Sequence, residues 1–247
     1  MRSEGNVLHA AVGSVADAQS IPDSLIAAAY ELTSPLVLVR QLALELQSGA
    51  ADEVQQHEIA QQLQLVAEKS LRLSSDVTVY NKLQTTLFVN QPLNVRELVR
   101  DVCSEAHSLY EARGRTLVIR RTVRQPLVNA NYDLLRRIVL NFIDNALEYS
   151  DSNGVVELYT QLVGGKELVR LGVRDYGPAL PRQLWQSIQS GYLSPQPVHA
   201  RPTTGGVGLR IACEFAAATG AKIGATRHRD GASFFVDVPI SKQLSLL

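Results

Sequence analysis

Apolar residues in the stretch SLIAAAYELTSPLVLVRQLALELQ recur at helical spacing and predict one long helix ending near Gln47. Ser20-Ile21-Pro22-Asp23 offers polar capping groups and a proline near the first turn, so the helix is expected to begin there. Ser48-Gly49 supplies its stop. A second helical pattern follows from about Asp52 to Leu83, where Ile59, Leu63, Val66, Leu71, Leu73, Val77 and Val79 keep only approximate helical spacing. Together they predict a helical hairpin over residues 21–84. Such a hairpin has too little core to stand alone. It is expected to pair with a second copy as a four-helix bundle, which makes the protein a homodimer. Residues 1–20 are small and polar and read as a flexible lead-in.

After Gln84 the pattern changes. TTLFVN is a short strand candidate, VRELVRDVCSEAHSLYEARG an amphipathic helix closed by Gly114, and RTLVIRRTV a strand. YDLLRRIVLNFIDNALEYS is a helix with an apolar face, and GVVELYTQLV and ELVRLGVRD are strands turned at Gly164-Gly165. Residues 177–204 hold Pro178, Pro181, Pro195, Pro197 and Pro202 and are expected to form a long loop with little regular structure. GGVGLRIACEFAAATG is a glycine turn feeding a helix, and AKIGATR and SFFVDVPI close the chain as strands. Residues 85–247 are thus expected to form an α/β sandwich, one sheet with helices on one face, so that the whole chain is α+β.

Composition narrows the partners. The chain balances 24 basic against 24 acidic side chains, which gives no reason to expect nucleic acid or an anionic membrane as partner. No apolar run approaches the roughly 20 residues that span a bilayer. The N-terminus lacks the continuous apolar core of a signal peptide, so a cytoplasmic protein is expected. Cys103 and Cys213 have no metal-type spacing and read as buried, reduced thiols.

One local conflict stands out. The segment Tyr30-Glu31-Leu32-Thr33-Ser34-Pro35-Leu36 places a proline inside the first predicted helix, where it costs about 3 kcal/mol. Three further segments follow in order: NFIDNALEYS, DYGPA and TGGVGL. In this order and spacing, the four segments resemble the cytoplasmic core of a bacterial sensor histidine kinase. The hairpin resembles its dimerisation and phosphotransfer domain. The remainder resembles the ATP-binding domain shared by histidine kinases, gyrase, Hsp90 and MutL.

The resemblance assigns roles. The family's first signature is His-Glu-x-x-x-Pro-Leu, with the proline distorting the helix near the acceptor, and Tyr30 stands where the phosphorylated histidine belongs. Glu31 matches the acidic general base and Ser34 a polar position used in dephosphorylation. Asn141 and Asn145, one helical turn apart, match the asparagine box, whose amide oxygens take Mg²⁺ while the NH₂ groups face phosphate. Tyr149 would lie near the nucleotide, Asp175 would read the adenine amine, and Gly177 would let the chain turn beneath the base. Gly206 and Gly208 match the loop that brings backbone N–H groups to the phosphates of ATP.

The departures fall on the same machinery. Thr204 and Ala179 replace glycines, and Glu148 stands where a phosphate-reaching Lys or Arg is usual. At about 6 Å and an effective dielectric near 20, a single charge contributes roughly 3 kcal/mol. Uncompensated, Glu148 would weaken triphosphate binding by at least about a hundredfold. None of His9, His57, His107, His199 and His228 replaces the missing acceptor.

The resemblance therefore implies a histidine kinase-like signalling protein of a two-component or phosphorelay pathway with reduced or absent autokinase activity. It would act by dimerising and by binding a response regulator or another histidine kinase. Two alternatives stay open. One is an ATP-dependent protein kinase that phosphorylates Tyr30 or a partner. The other is a nucleotide-binding switch or anti-sigma-like regulator.

Overall fold

A computed structural model describes residues 23–49, 51–83, 88–122, 127–150, 154–190 and 207–242, with only the backbone described for residues 23–31 and 121. Helix α1 (Asp23–Gln47) continues through Pro35, which cannot donate to the carbonyl of residue 31. Helix α2 (Glu53–Lys82) begins with a capping box: Asp52 accepts from the Gln55 backbone N–H, and the Gln55 side chain accepts from Asp52 N–H. The two helices pack together as the expected hairpin. Ile59 and Leu65 are buried on α2, whereas Leu71 is 70% exposed, because the apolar stripe drifts around so long a helix.

The second part is built on helix α3 (Val95–Ala112), helix α4 (Tyr132–Tyr149) and a five-stranded sheet. In α3, Leu98, Val99, Val102, Ala106, Leu109 and Tyr110 recur at helical spacing and are all buried. In α4, Leu134, Leu135, Ile138, Phe142, Ile143 and Ala146 do the same, and Asn131 caps the helix by accepting from Leu134 N–H. The sheet comprises β2 (Thr116–Arg121), β4 (Val155–Val163), β5 (Leu168–Asp175), β6 (Lys222–His228) and β7 (Gly231–Pro239), in the order β2-β4-β5-β7-β6. β2 and β4 run parallel and the other neighbours antiparallel.

Period-two alternation puts Val169, Leu171 and Val173 opposite Val238, Val236 and Phe234 on the core face. Phe142 of α4 stacks on Phe234, ring centroids 6.0 Å apart, and so fixes α4 over the middle of the sheet. Tyr110 of α3, fully buried, donates its hydroxyl proton to the carbonyl of Ile143.

Several expectations need correction. Of the strand expected in TTLFVN, Thr85–Leu87 lie outside the described residues and Phe88–Asn90 are not strand; β1 (Gln91–Asn94) follows directly and pairs with β3 (Leu127–Ala130) in a separate two-stranded sheet. A single-sheet description is therefore incomplete. The proline-rich stretch contains helix α5 (Arg182–Ser190), which starts just after Pro181. Ile188 is buried, and Trp185 Nε1 and Gln189 Nε2 both donate to the carbonyl of Ala225. These contacts supply the anchoring that composition alone did not reveal. Helix α6 (Val207–Ala218) follows, with Leu209, Ile211, Ala212 and Phe215 buried, and both hairpin helices lie against it. Cys103 and Cys213 are partly buried, and burial pushes the Cys213 thiol up to about 11. No helix among the described residues is long and apolar enough to cross a membrane.

Candidate functional site

The end of β5 meets the end of α4. Asp175, the last residue of β5, is 1% exposed, and its Oδ1 accepts from the backbone N–H groups of Gly177 and Ala232, each at 3.2 Å. The chain then passes so close beneath α4 that a Cβ on Gly177 would lie 1.9 Å from the carbonyl oxygen of Tyr149. A side chain has no room there. Gly177→Ala is expected to lower stability by about 3 kcal/mol through forced backbone displacement, which thermal or denaturant unfolding would measure. Tyr149 is the last residue of α4 and is partly buried, so Asp175, Gly177 and Tyr149 form one corner of the domain.

A second corner lies one and two turns back along α4. Asn141 and Asn145 are both partly buried. Gly208, in the first turn of α6, faces Asn141: a Cβ there would sit 2.6 Å from Asn141 Oδ1. The asparagine helix and the start of the glycine-rich helix thus pack directly. Free backbone N–H groups at a helix start favour anions, and amide oxygens are hard donors suited to Mg²⁺, which keeps much of its water shell. The amide donors of Asn141 and Asn145 and the glycine start of α6 are chemically compatible with a magnesium–nucleotide. Among the described residues, no cluster of three or more His, Cys, Asp or Glu suggests any other metal. Gly206 and Thr204 lie outside the described residues.

A row of ionic contacts joins α2 to α4. Lys69 Nζ lies 2.9 Å from Glu148 Oε2, Arg72 forks onto both Asp144 oxygens at 3.0 and 3.2 Å, and Asp76 pairs with Arg137. Rising numbers on α2 meet falling numbers on α4, so the two helices run antiparallel along this clamp. Burial pushes the Asp76 and Asp144 carboxyls above the usual range, opposed by Arg137 and Arg72 respectively. The Lys69 side chain is 45% exposed, so its rung contributes below about 1 kcal/mol, and the more enclosed Arg137–Asp76 rung matters most. The penalty expected of Glu148 assumed no nearby cation. Lys69 supplies one, and the pair carries no net charge.

The hairpin candidates stand apart from this constellation in sequence. Tyr30 and Glu31 lie on α1 before Pro35, but their side chains are not among those described. Ser34 is described and is exposed.

A family model described as histidine kinase-, DNA gyrase B- and HSP90-like ATPase matches residues 130–242, which span β3 to β7 and contain every candidate outside the hairpin. The adaptive-response sensory kinase SasA of Parasynechococcus marenigrum (strain WH8102) is 29% identical over 216 residues, covering 86% of this chain and 55% of the relative. SasA of Synechocystis sp. (strain ATCC 27184 / PCC 6803 / Kazusa) is 27% identical over 223 residues, with 86% and 57% coverage. The fold of the whole chain is similar to that of full-length ShkA solved with AMPPNP, with a TM-score of 0.59 at 20% identity over 91% of this chain and 47% of ShkA. Residues 130–242 match this ATPase family model, and the chain has the fold of a histidine kinase core.

The same core arrangement is similar to that of histidine kinase ThkA, solved in complex with response regulator protein TrrA, with a TM-score of 0.61 at 18% identity over 90% of this chain and 63% of ThkA. The chain spans a little over half the length of its SasA relatives and so corresponds to only part of those proteins. Sequence reasoning missed Lys69, Arg72, Asp76, Arg137 and Asp144. Their signal was legible in principle: charged positions at i, i+3 and i+7 on α2, and a complementary charged series seven and four apart on α4.

Proposed function

We propose that this histidine kinase core binds ATP with Mg²⁺ at the α4–α6–β5 site but cannot phosphorylate itself on histidine, because Tyr30 occupies the acceptor position. It acts instead as a dimer that engages a response regulator or another kinase through the hairpin. The observation that carries this reading is the contrast between its two halves. Asp175 and Gly177 meet the end of α4 at Tyr149 and Gly208 packs on Asn141 of the same helix, while the acceptor segment reads Tyr-Glu-Leu-Thr-Ser-Pro-Leu.

The division of labour follows from chemistry. When bound, the nucleotide supplies a phosphoryl group to transfer. Asp175 would hold the base through its buried carboxylate, the amide oxygens of Asn141 and Asn145 would face the metal, and the start of α6 would face the phosphates. On the hairpin, a phenol near neutral pH is a poor nucleophile, and its phosphate ester is too stable to pass the group onward. Exposed apolar residues on α1 and α2 (Leu36, Val37, Leu44 and Leu71, each more than half exposed) support a second hairpin as the dimer partner. ThkA in complex with TrrA supports a response regulator as a further partner.

The test is incubation of the full chain with γ-labelled ATP and Mg²⁺, followed by acid and base treatment of the labelled protein. The expected result is no acid-labile label. Acid-stable label that disappears in Tyr30→Phe would instead establish a tyrosine-phosphorylating enzyme.

A further inference from the structure

The Asn141 amide is held from the hairpin. Its Nδ2 donates to Asp76 Oδ2 at 3.1 Å and to the backbone carbonyl of Arg137 at 3.0 Å. An ionised carboxylate and a carbonyl can only accept, so the amide must turn its NH₂ toward them. That leaves Oδ1 facing Gly208, 2.6 Å from where a Cβ would stand. Asp76 is itself fixed, 7% exposed and paired with the Arg137 guanidinium, which also donates to Ser75 Oγ at 3.1 Å.

We propose that Asp76 is a positioning residue for the nucleotide site: from the second hairpin helix it fixes the Asn141 amide so that Oδ1 is presented at the start of α6, where a magnesium–nucleotide would be held. This rests on the nucleotide-binding reading above. Without Asp76 the amide loses its charged acceptor and can present either face to the site. The proposal also couples the two parts of the chain. If docking of α2 orients Asn141 for nucleotide, bound nucleotide must strengthen the docking of α2 by the same factor. The histidine kinase core then reports nucleotide occupancy to its own hairpin through one carboxylate.

The experiment is calorimetric titration of the full chain with Mg²⁺–ADP, in a double-mutant cycle of Asp76→Ala and Asn141→Ala. Asp76→Ala should weaken binding about tenfold, the loss of one charge-assisted, orienting hydrogen bond. In the Asn141→Ala background the same change should have no further effect. Arg72→Ala combined with Asp144→Ala removes a neighbouring rung of the clamp without touching Asn141 and should alter affinity less than about twofold. Asp76→Asn keeps the shape but cannot accept from both Arg137 and Asn141, so it should lose as much as alanine even if Asp76→Ala folds poorly. Native-like affinity in Asp76→Ala, an equal loss in the Asn141→Ala background, or an equal loss in the Arg72–Asp144 pair would overturn the positioning role. Absence of binding by the native chain would overturn the nucleotide reading itself, and this proposal with it.

Discussion

Tyr30→His is expected to convert a chain that takes up no acid-labile phosphoryl label from γ-labelled ATP into one that does. Tyrosine titrates near 10 and histidine near 6.5, so at neutral pH most imidazole is free base while well under about 1% of phenol is phenolate. The substitution therefore restores a competent nucleophile at the position preceding Glu31, which the resemblance casts as the general base. α1 already carries the proline one turn downstream, so nothing else in the segment needs to change. The label should be lost in acid and kept in base, as a phosphorus–nitrogen bond requires. Tyr30→Phe should resemble the native chain. Failure of Tyr30→His to take up label, in protein that binds nucleotide, would mean that the defect is not confined to the acceptor.

Asp175→Asn is expected to abolish adenine nucleotide binding, by a factor above about 100, while leaving the fold nearly as stable as before. Asp175 Oδ1 serves two backbone N–H groups in a buried corner, and an asparagine carbonyl oxygen can keep both bonds. What asparagine cannot keep is a carboxylate for the exocyclic amine of the base. Asp175→Ala should behave differently. It strands both buried N–H groups and should lose about 3 kcal/mol of stability as well as binding. Melting and calorimetry on the two variants separate the roles. Unaltered binding by Asp175→Asn would show that this corner does not read adenine.

How much of this was legible in the sequence depends on how local each feature is. α3 and α4 were read correctly because Leu98–Val102–Ala106–Leu109 and Leu134–Ile138–Phe142 repeat at helical spacing within one segment. β5 and β7 were legible from their alternation. β3 was not, since four residues, Leu127–Ala130, carry no period and are held by pairing with β1 some thirty-six positions earlier. α5 was hidden by flanking prolines, and it is fixed by Trp185 and Gln189 reaching the carbonyl of Ala225 across the fold. Glu148 shows the same limit at the site. Its sign was plain, but its effect depended on Lys69, 79 residues away. The identities of the site residues were local facts, whereas their electrostatic setting was a property of the folded chain.

An intact nucleotide site beside a changed phosphoacceptor is tested most directly by calorimetric titration of the native chain with ATP in the presence and absence of Mg²⁺. The expected result is micromolar binding, one nucleotide per chain, that weakens without Mg²⁺. No heat of binding up to millimolar nucleotide would contradict it and leave a hairpin-based scaffold whose ATP-binding fold no longer binds ATP.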